Sequence, residues 1–351
     1  MKFYPSRAHR WAGGGCTGSV KAEAAMPRRP SSSDSAEGIR LHALAAGQLL
    51  GADEEPPAAD WGQVREYVQD VTHTCRLHKH GGLVEQKVTH PLFTNGFIDC
   101  HLWYPGRLII WDYKSGRRPV EAVGNDQLLV YAIMLLQPLI DAGAELPTVE
   151  LRIVQPNCWH PDGHVRGWVV DDFMSHYNRI TTAVDQANYA PQLVATPSNC
   201  TYCNAVTSCR AARDVTLGAA DMMLIDTGAL PAEAIRSELV TLRTTAKLVQ
   251  TRLDALEAET EVRLGKGETV PGCGMVSGGR GKLKWTADES EIMKVATALG
   301  VDPVKKTLFT PKQMIDTGLP ADVVDVMAKR TASKMQVSTE SDAEMEKIFN
   351  V

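Results

Sequence analysis

Two aspartates and a lysine are the residues whose types and spacing most directly suggest chemistry. Asp112 follows Asp99 by thirteen positions, and Lys114 follows Asp112 by two. On a β-strand, residues two apart project to the same face, so Asp112 and Lys114 would lie side by side. Two converging carboxylates repel each other unless a cation lies between them, and oxygen ligands suit Mg²⁺ or Mn²⁺. The lysine could then orient a water molecule or stabilise charge that develops on a phosphate.

The residues around these three side chains predict a β-hairpin. Residues 96–103 and 107–113 are apolar and rich in strand formers, and the Pro-Gly pair between them is a turn signal. Asp99 then lies inside the first strand and can reach the end of the second strand across the hairpin. An alternative is that Asp112 and Lys114 form an ordinary exposed ion pair. The apolar run directly before Asp112 argues against that alternative.

Predicted helices and strands alternate along the first half of the chain. Hydrophobic periodicity predicts helices over residues 36–50, 61–80, 121–139 and 170–188. Besides the hairpin, strands are predicted over residues 83–89, 149–155 and 165–170. Residues 1–35, which are rich in Gly, Ser, Pro and Arg, are expected to be irregular. Strands framed by helices predict an α/β core.

The order and spacing of Asp99, Asp112 and Lys114 resemble the core motif of the PD-(D/E)XK nucleases. The resemblance covers about residues 1–215. It implies the restriction-endonuclease-like core of that superfamily, a mixed central sheet flanked by helices. Asp112 stands where many relatives have glutamate, so its carboxylate is shorter by one methylene.

Two further motifs narrow the resemblance to one branch, which contains the RecB and AddB nuclease domains, CRISPR-adaptation nucleases and phage exonucleases. That branch has a Q-x-x-x-Y motif after the lysine, and this chain has Gln127-Leu-Leu-Val-Tyr131. The branch also has a histidine on an early helix, and His42 in Gly38-Ile-Arg-Leu-His42 fits that position. The four motifs occur in the order that the branch requires.

The resemblance implies metal-dependent hydrolysis of DNA phosphodiester bonds. The Mg²⁺ or Mn²⁺ ligands would be His42, Asp99, Asp112 and the backbone carbonyl of Tyr113. Lys114 would position the attacking water, and Gln127 and Tyr131 would contact the DNA backbone or brace the site. Without the motif, His42 and Tyr131 would be interpreted as core residues and Gln127 as a helix-surface amide. Glu85 is a candidate additional acid outside the metal shell.

Three cysteines within ten residues form a second strong signal. Cys200, Cys203 and Cys209 follow the pattern C-x₂-C-x₅-C, and Cys16 is the candidate fourth ligand. From spacing alone, a structural zinc site with Cys₄ or Cys₃His ligands is the simpler interpretation. The resemblance instead implies a [4Fe–4S] cluster of the AddB type. Such a cluster would join the two ends of the nuclease segment and would have a structural role.

The composition changes beyond about residue 216. We therefore predict two domains: a nuclease core with its cysteine-ligated cluster over 1–215, and a mainly helical extension over 216–351 that contains a long helix, a basic glycine-rich loop and a small terminal module. Residues 231–264 predict the long helix, whose apolar residues are near heptad spacing. That helix could pack on the core or pair with another chain.

Basic residues outside the metal site are candidates for DNA contacts. Arg280, Lys282 and Lys284 lie in the glycine-rich loop beside an aromatic residue. Such a loop could bind phosphates and stack a base. The alternative is a solvated hairpin turn. Arg117 and Arg118, soon after the active-site lysine, are the other candidates.

The composition limits the class of protein. A chain of 351 residues that is 44% hydrophobic and 23% charged can form an ample core. A net charge of −5 does not by itself indicate a nucleic-acid binder, although a local basic rim would suffice. With no long apolar run and no signal peptide, the chain is expected in the cytoplasm, of a bacterial host if a phage encodes it. Its eight cysteines would be reduced there.

These observations together predict a metal-dependent DNA exonuclease that serves phage DNA recombination or processing. DNA is the expected partner, and a single-strand annealing recombinase is a candidate second partner. A structure-specific endonuclease with the same site is one alternative. A non-catalytic, metal-stapled DNA-binding protein is another. The intact set of Asp99, Asp112 and Lys114 argues against the latter, because a protein that only binds DNA does not need all three.

Overall fold

The computed structural model describes residues 1–26, 33–52, 56–222 and 231–274, together with Lys294. These residues form a five-stranded mixed sheet flanked by helices. The strands are β1 (Leu83–Val88), β2 (Gly96–Tyr104), β3 (Arg107–Tyr113), β4 (Thr148–Val154) and β5 (Val165–Val169). They lie in chain order, and every neighbouring pair is antiparallel except β3 and β4. The predicted α/β class and the predicted hairpin are confirmed.

Helices lie on both faces of the sheet. The α-helices in the described residues are α1 (Ser19–Ala24), α2 (Ser33–Leu49), α3 (Ala58–His78), α4 (Asp126–Asp141), α5 (Phe173–Tyr189), α6 (Pro197–Cys200), α7 (Arg210–Met222) and α8 (Ala232–Gly265). In β3, Leu108 and Ile110 pack with α4 and α5, whereas Ile109 and Trp111 pack with α2 and α3. A strand covered on both faces has a continuous apolar sequence, which explains the run before Asp112.

Helix α4 begins later than its apolar pattern predicted. Gly124 adopts a left-handed φ of 69°, and the Asn125 side chain accepts a hydrogen bond of 3.1 Å from the Leu128 amide. Asn125 therefore caps the helix and satisfies an amide that has no partner within it. The predicted start at residue 121 was wrong because this cap, and not hydrophobic periodicity, determines where the helix begins.

The N-terminal segment is more ordered than its composition predicted. A short 3₁₀ turn (Pro5–Arg7), a π-helical turn (His9–Gly13) and α1 cover much of it. Phe3 and Trp11 are buried, and their rings meet edge to face with centroids 5.2 Å apart. Elements this short are not stable alone, so packing against the sheet must stabilise them. The expectation that residues 1–35 are irregular was wrong for the described part.

The chain divides into two compact units, Met1–Glu259 and Thr260–Val351. The predicted domain boundary after residue 215 stays a prediction. Arg280, Lys282 and Lys284 lie outside the described residues. Within the described residues, no helix combines the length and the hydropathy needed to cross a membrane.

Candidate active site and cysteine cluster

Along β1 and β2, the side chains switch from one face of the sheet to the other, and this irregularity orients the acidic side chains of Glu85 and Asp99. Cys100 packs in the core beneath α2 and α3, yet Ile98, only two positions earlier in β2, packs in the opposite core. In β1, Glu85 adopts a left-handed φ of 48°, which costs a non-glycine residue about 1 kcal/mol or more. The ladder pairs on either side of Glu85 place it directly across from Asp99. The irregular backbone therefore brings two carboxylates together.

Asp99 connects β2, β3 and α2. The ladder between β2 and β3 ends at the pair Cys100 and Trp111, and beyond it Asp99 Oδ2 accepts the Tyr113 amide at 2.7 Å. Asp99 Oδ1 lies 3.4 Å from His42 Nδ1. The His42 ring meets the Tyr113 ring edge to face, with centroids 5.1 Å apart. Both contacts orient the carboxylate and the imidazole toward the end of β3.

His42, Glu85 and Asp99 form a group that could hold a metal ion. One ligand atom from each lies within 4.8 Å of the other two, and all three residues are partly buried. Burial and the Asp99 charge raise the pKa of Glu85. Burial lowers the pKa of His42, but its hydrogen bond to Asp99 and the charges of Asp99 and Asp112 outweigh burial, so the net direction is upward. This candidate ligand group includes Glu85, which the sequence had placed outside the metal shell, and does not include Asp112, which the sequence predicted as a ligand.

Buried Asp112 and partly buried Lys114 form an ion pair that Gln127 bridges. Lys114 Nζ lies 2.8 Å from Asp112 Oδ2 and donates to Gln127 Oε1 at 3.1 Å, while Gln127 Nε2 donates to Asp112 Oδ1 at 2.9 Å. Asp112 is only 4% exposed, so the alternative of an exposed surface pair was wrong. Asp112 Oδ2 is buried, and within the described residues its polar contact is the Lys114 ammonium. That oxygen keeps a second lone pair for a further ligand.

The environment of the ion pair keeps Lys114 charged. Burial lowers the pKa of Lys114, but the attraction and hydrogen bond of Asp112 outweigh burial and raise the pKa above its ordinary value. Burial raises the pKa of Asp112, and the charge of Lys114 partly offsets this. A lysine held in its ammonium form can donate hydrogen bonds and stabilise negative charge, but it cannot accept a proton.

Tyr131 lies under the site. It is 7% exposed, and a β-carbon on Gly96 would lie 2.6 Å from its ring, so only glycine fits there. Burial and the nearby charges of Asp112 and Asp99 raise the pKa of Tyr131, so the phenol is neutral at physiological pH. This burial favours the bracing role over direct contact with DNA.

The side chain of Gln155, a residue that the sequence did not predict to be functional, holds the backbone of the loop after Lys114. Gln155 is fully buried. Its Nε2 donates to the carbonyls of Gly116 at 2.8 Å and Arg118 at 2.7 Å, and its Oε1 accepts the Val120 amide at 3.1 Å. Arg117 and Arg118 are exposed on this anchored loop. No periodic signal marks Gln155, because its partners lie in a separate part of the chain.

The structure brings the four predicted cysteine ligands into one region. Cys16, Cys200 and Cys203 are buried, and Cys209 is partly buried beside them. Burial first, and then the neighbouring thiols of Cys203, Cys209 and Cys16, raise the pKa of Cys200 to about 12. Leu248 of α8 also packs here, so this part of the long helix packs on the core.

Arg10 anchors the N-terminal segment to the cysteine region. This arginine is 2% exposed, and it donates to the Asn199 carbonyl at 2.6 Å and to Glu23 Oε2 at 2.6 Å. Asn199 Nδ2 donates to the Gly14 carbonyl at 2.8 Å, and the Val194 amide lies 3.3 Å from Cys16 Sγ. The buried Arg10–Glu23 pair is costly to break, so it holds the N-terminal segment in place. Together with the contacts of Gly14 and Cys16, it fixes where Cys16 lies.

Comparison with known proteins assigns this chain to a family. No curated protein matches the chain. The crystal structure of SSO0001 matches over 60% of this chain and 86% of that chain, with 14% identity and a TM-score of 0.28, a likeness too low to carry any argument. A family model described as "Protein of unknown function (DUF2800)" matches residues 2–345. The chain therefore belongs to the DUF2800 family.

Proposed function

We propose that this chain is a metal-dependent deoxyribonuclease of the PD-(D/E)XK type that acts as an exonuclease. One observation carries the proposal: the Asp112–Lys114 ion pair lies beside the candidate ligand group of His42, Glu85 and Asp99. Phosphodiester hydrolysis needs a cation to offset charge on the phosphate and a fixed donor close to the reacting oxygens. Ligands for the first and an ammonium for the second occur together here.

The donor set fits Mg²⁺ or Mn²⁺. Carboxylate oxygens are the ligands that these hard cations prefer, and one imidazole is compatible with Mn²⁺. His42, Glu85 and Asp99 would hold the cation, with Asp112 and the Tyr113 carbonyl as further ligands. Asp112 Oδ2 contacts the Lys114 ammonium and keeps a second lone pair that could bind a cation, which supports this. Bound there, such a cation polarises the phosphate and lowers the pKa of a coordinated water.

The side chains of the protein perform the remaining tasks. Lys114 stays protonated, so it orients the attacking water or donates to a phosphate oxygen as charge develops. Gln127 contacts both members of the ion pair, so it keeps the ammonium and the carboxylate in fixed positions. Tyr131 is buried near Asp112 and Asp99, where it would brace the site.

The four cysteines suit a structural [4Fe–4S] cluster. A single zinc ion, with Zn–S distances of about 2.3 Å, holds its thiolates close together. A four-iron cluster is held by four thiolates, one on each iron, and the C-x₂-C-x₅-C pattern with the distant Cys16 resembles the cluster ligands of the AddB type. Zinc is the alternative that metal analysis would reveal.

The test is digestion of end-labelled linear DNA, double- and single-stranded, with Mg²⁺ or Mn²⁺ and with EDTA. Closed circular DNA is the control substrate. We expect metal-dependent digestion from ends that spares circles and is lost in Asp112→Ala, with DNA binding kept. Asp185→Ala, at an exposed carboxylate on α5, is the matched control and should digest normally. Cutting of circles would instead support an endonuclease, and absence of all cleavage would support a binding protein.

The biological setting is part of the proposal. An exonuclease that trims linear ends would serve phage DNA recombination or processing. Such an enzyme would prepare a strand for a single-strand annealing recombinase. Co-purification with a recombinase encoded beside it would support that partnership.

A further inference from the structure

An exposed tryptophan stands on the loop between β4 and β5. Trp159 is 75% exposed, whereas the residues on both sides are protected: Cys158 is 4% exposed, and the His160 side chain is 9% exposed. Large aromatic side chains are seldom left so far in water, since most of their surface is apolar. The indole is thus presented to solvent by a backbone that is anchored on either side.

Hydrogen bonds tie this loop to the loop that follows Lys114. His160 Nε2 lies 3.0 Å from Glu121 Oε1, and Asn157 Nδ2 donates to the Ser115 carbonyl at 3.3 Å. Because β3 and β4 are parallel, both loops leave the same edge of the sheet. Crevices outside the carboxyl ends of parallel strands are common ligand sites. Trp159 is therefore held at the edge where Lys114 lies.

Cationic side chains lie along the same two loops. Arg117 and Arg118 are exposed on the loop that Gln155 anchors. The Arg118 guanidinium lies 5.5 Å from the centre of the Tyr202 ring, and Tyr202 is 76% exposed. An arginine oriented by an aromatic face loses less freedom when it binds a phosphate. Exposed aromatic rings beside arginines are the arrangement that binds unpaired nucleic acid strands.

We propose that Trp159 stacks on an unpaired base of the DNA strand whose phosphates lie along Arg117 and Arg118. The inference rests on the proposed nuclease function and extends it, because it identifies a single-stranded segment next to the reacting phosphate. A base has a flat apolar face that matches the exposed indole. The two arginines favour a negatively charged strand over an apolar protein surface as the partner, because an apolar surface would offer them no negative charge.

The test measures binding in EDTA, so that it does not depend on cleavage. Fluorescence anisotropy compares a short single-stranded oligonucleotide with an abasic strand of the same length, which keeps the phosphates but has no bases to stack. Trp159→Ala should weaken binding of the base-bearing strand about tenfold and leave the abasic strand unaffected. Trp159→Phe should keep most of the affinity. Arg118→Ala should weaken binding of both strands.

Trp103→Ala is the matched control. Trp103 is 36% exposed and pairs with Leu108 at the opposite end of the hairpin, so affinity for both strands should be unchanged. If Trp159→Ala does not fold, quenching of intrinsic fluorescence by the oligonucleotide should still be smaller in Trp159→Phe than in the wild-type protein. Equal quenching would overturn the proposal, as would equal losses on both strands or no binding of either strand.

The two proposals fail in different ways. A protein that binds the base-bearing strand through Trp159 but cleaves no DNA with any metal would contradict the nuclease and keep the stacking site. A protein that digests DNA normally after Trp159→Ala, with unchanged affinity for single strands, would keep the nuclease and remove the stacking site.

Discussion

The carboxylate–lysine site and the cysteine cluster balance their charges in different ways. In the first, the protein supplies the counter-charges: Asp112 meets Lys114, and Asp99 meets the Tyr113 amide and lies beside His42. In the second, burial dominates and raises the pKa of Cys16, Cys200 and Cys203. Thiolates there need the positive charge of a bound metal centre.

The carboxylate–lysine site is therefore preorganised for its ligand, whereas the cysteine site would assemble together with its metal centre. The side chains of the carboxylate–lysine site are already fixed by hydrogen bonds within the protein, so a divalent cation would enter a formed site. The thiols would lose protons only as their metal binds, so the cluster and the local fold would form together. Metal removal should therefore abolish cleavage at the first site without unfolding the chain, and should loosen the fold at the second.

The largest expected effect comes from removing the ammonium. Lys114→Met should lower the single-turnover rate of DNA cleavage by about 10³-fold, roughly 4 kcal/mol, because it removes a preorganised donor at the reacting phosphate. Lys247→Met, at an exposed position on α8, is the control and should cleave normally. Because the variant leaves Asp112 buried without its partner, urea unfolding is followed in parallel. A normal cleavage rate in a folded Lys114→Met protein would contradict the assigned role.

The next effect concerns the cysteine cluster. Cys203→Ser should release the bound metal and lower the free energy of unfolding by about 4 kcal/mol, since a cross-link between segments roughly 180 residues apart constrains the unfolded chain as a long-loop disulfide does. Iron and zinc analysis with urea unfolding measures both quantities. Cys273→Ser, at an exposed cysteine, should change neither. Full metal content in Cys203→Ser would show that this thiol is not a ligand.

The smallest effect should come from the bridging amide. Gln127→Leu keeps the size of the side chain but removes the contacts to Asp112 and Lys114. Loss of such an orienting contact lowers activity or metal affinity by about 10- to 100-fold. Cleavage rates titrated with Mn²⁺ measure both, and Gln186→Leu at an exposed position on α5 is the control. An unchanged titration would mean that the ion pair holds its geometry without Gln127.

Local sequence patterns predicted the framework of the site. Two apolar segments rich in strand formers and the Pro-Gly turn predicted the hairpin, and the bounds of β3 agree with the prediction, residues 107–113. The two-residue spacing of Asp112 and Lys114 predicted that their side chains would meet, as they do. These features depend on residues close together in the chain, where strand geometry leaves few alternatives.

Long-range packing determines how distant residues complete the site. Glu85 lies in the candidate ligand group because the pairing of β1 with β2 places it across from Asp99, and its left-handed backbone is a conformation that no residue pattern signals. Gln155 supports the arginine loop, and Arg10 binds Asn199, a residue 189 positions away. Such contacts arise from packing between segments whose separation in the sequence carries no information about their distance in space. Residue types and local spacing set which groups are present, and packing determined which of them meet.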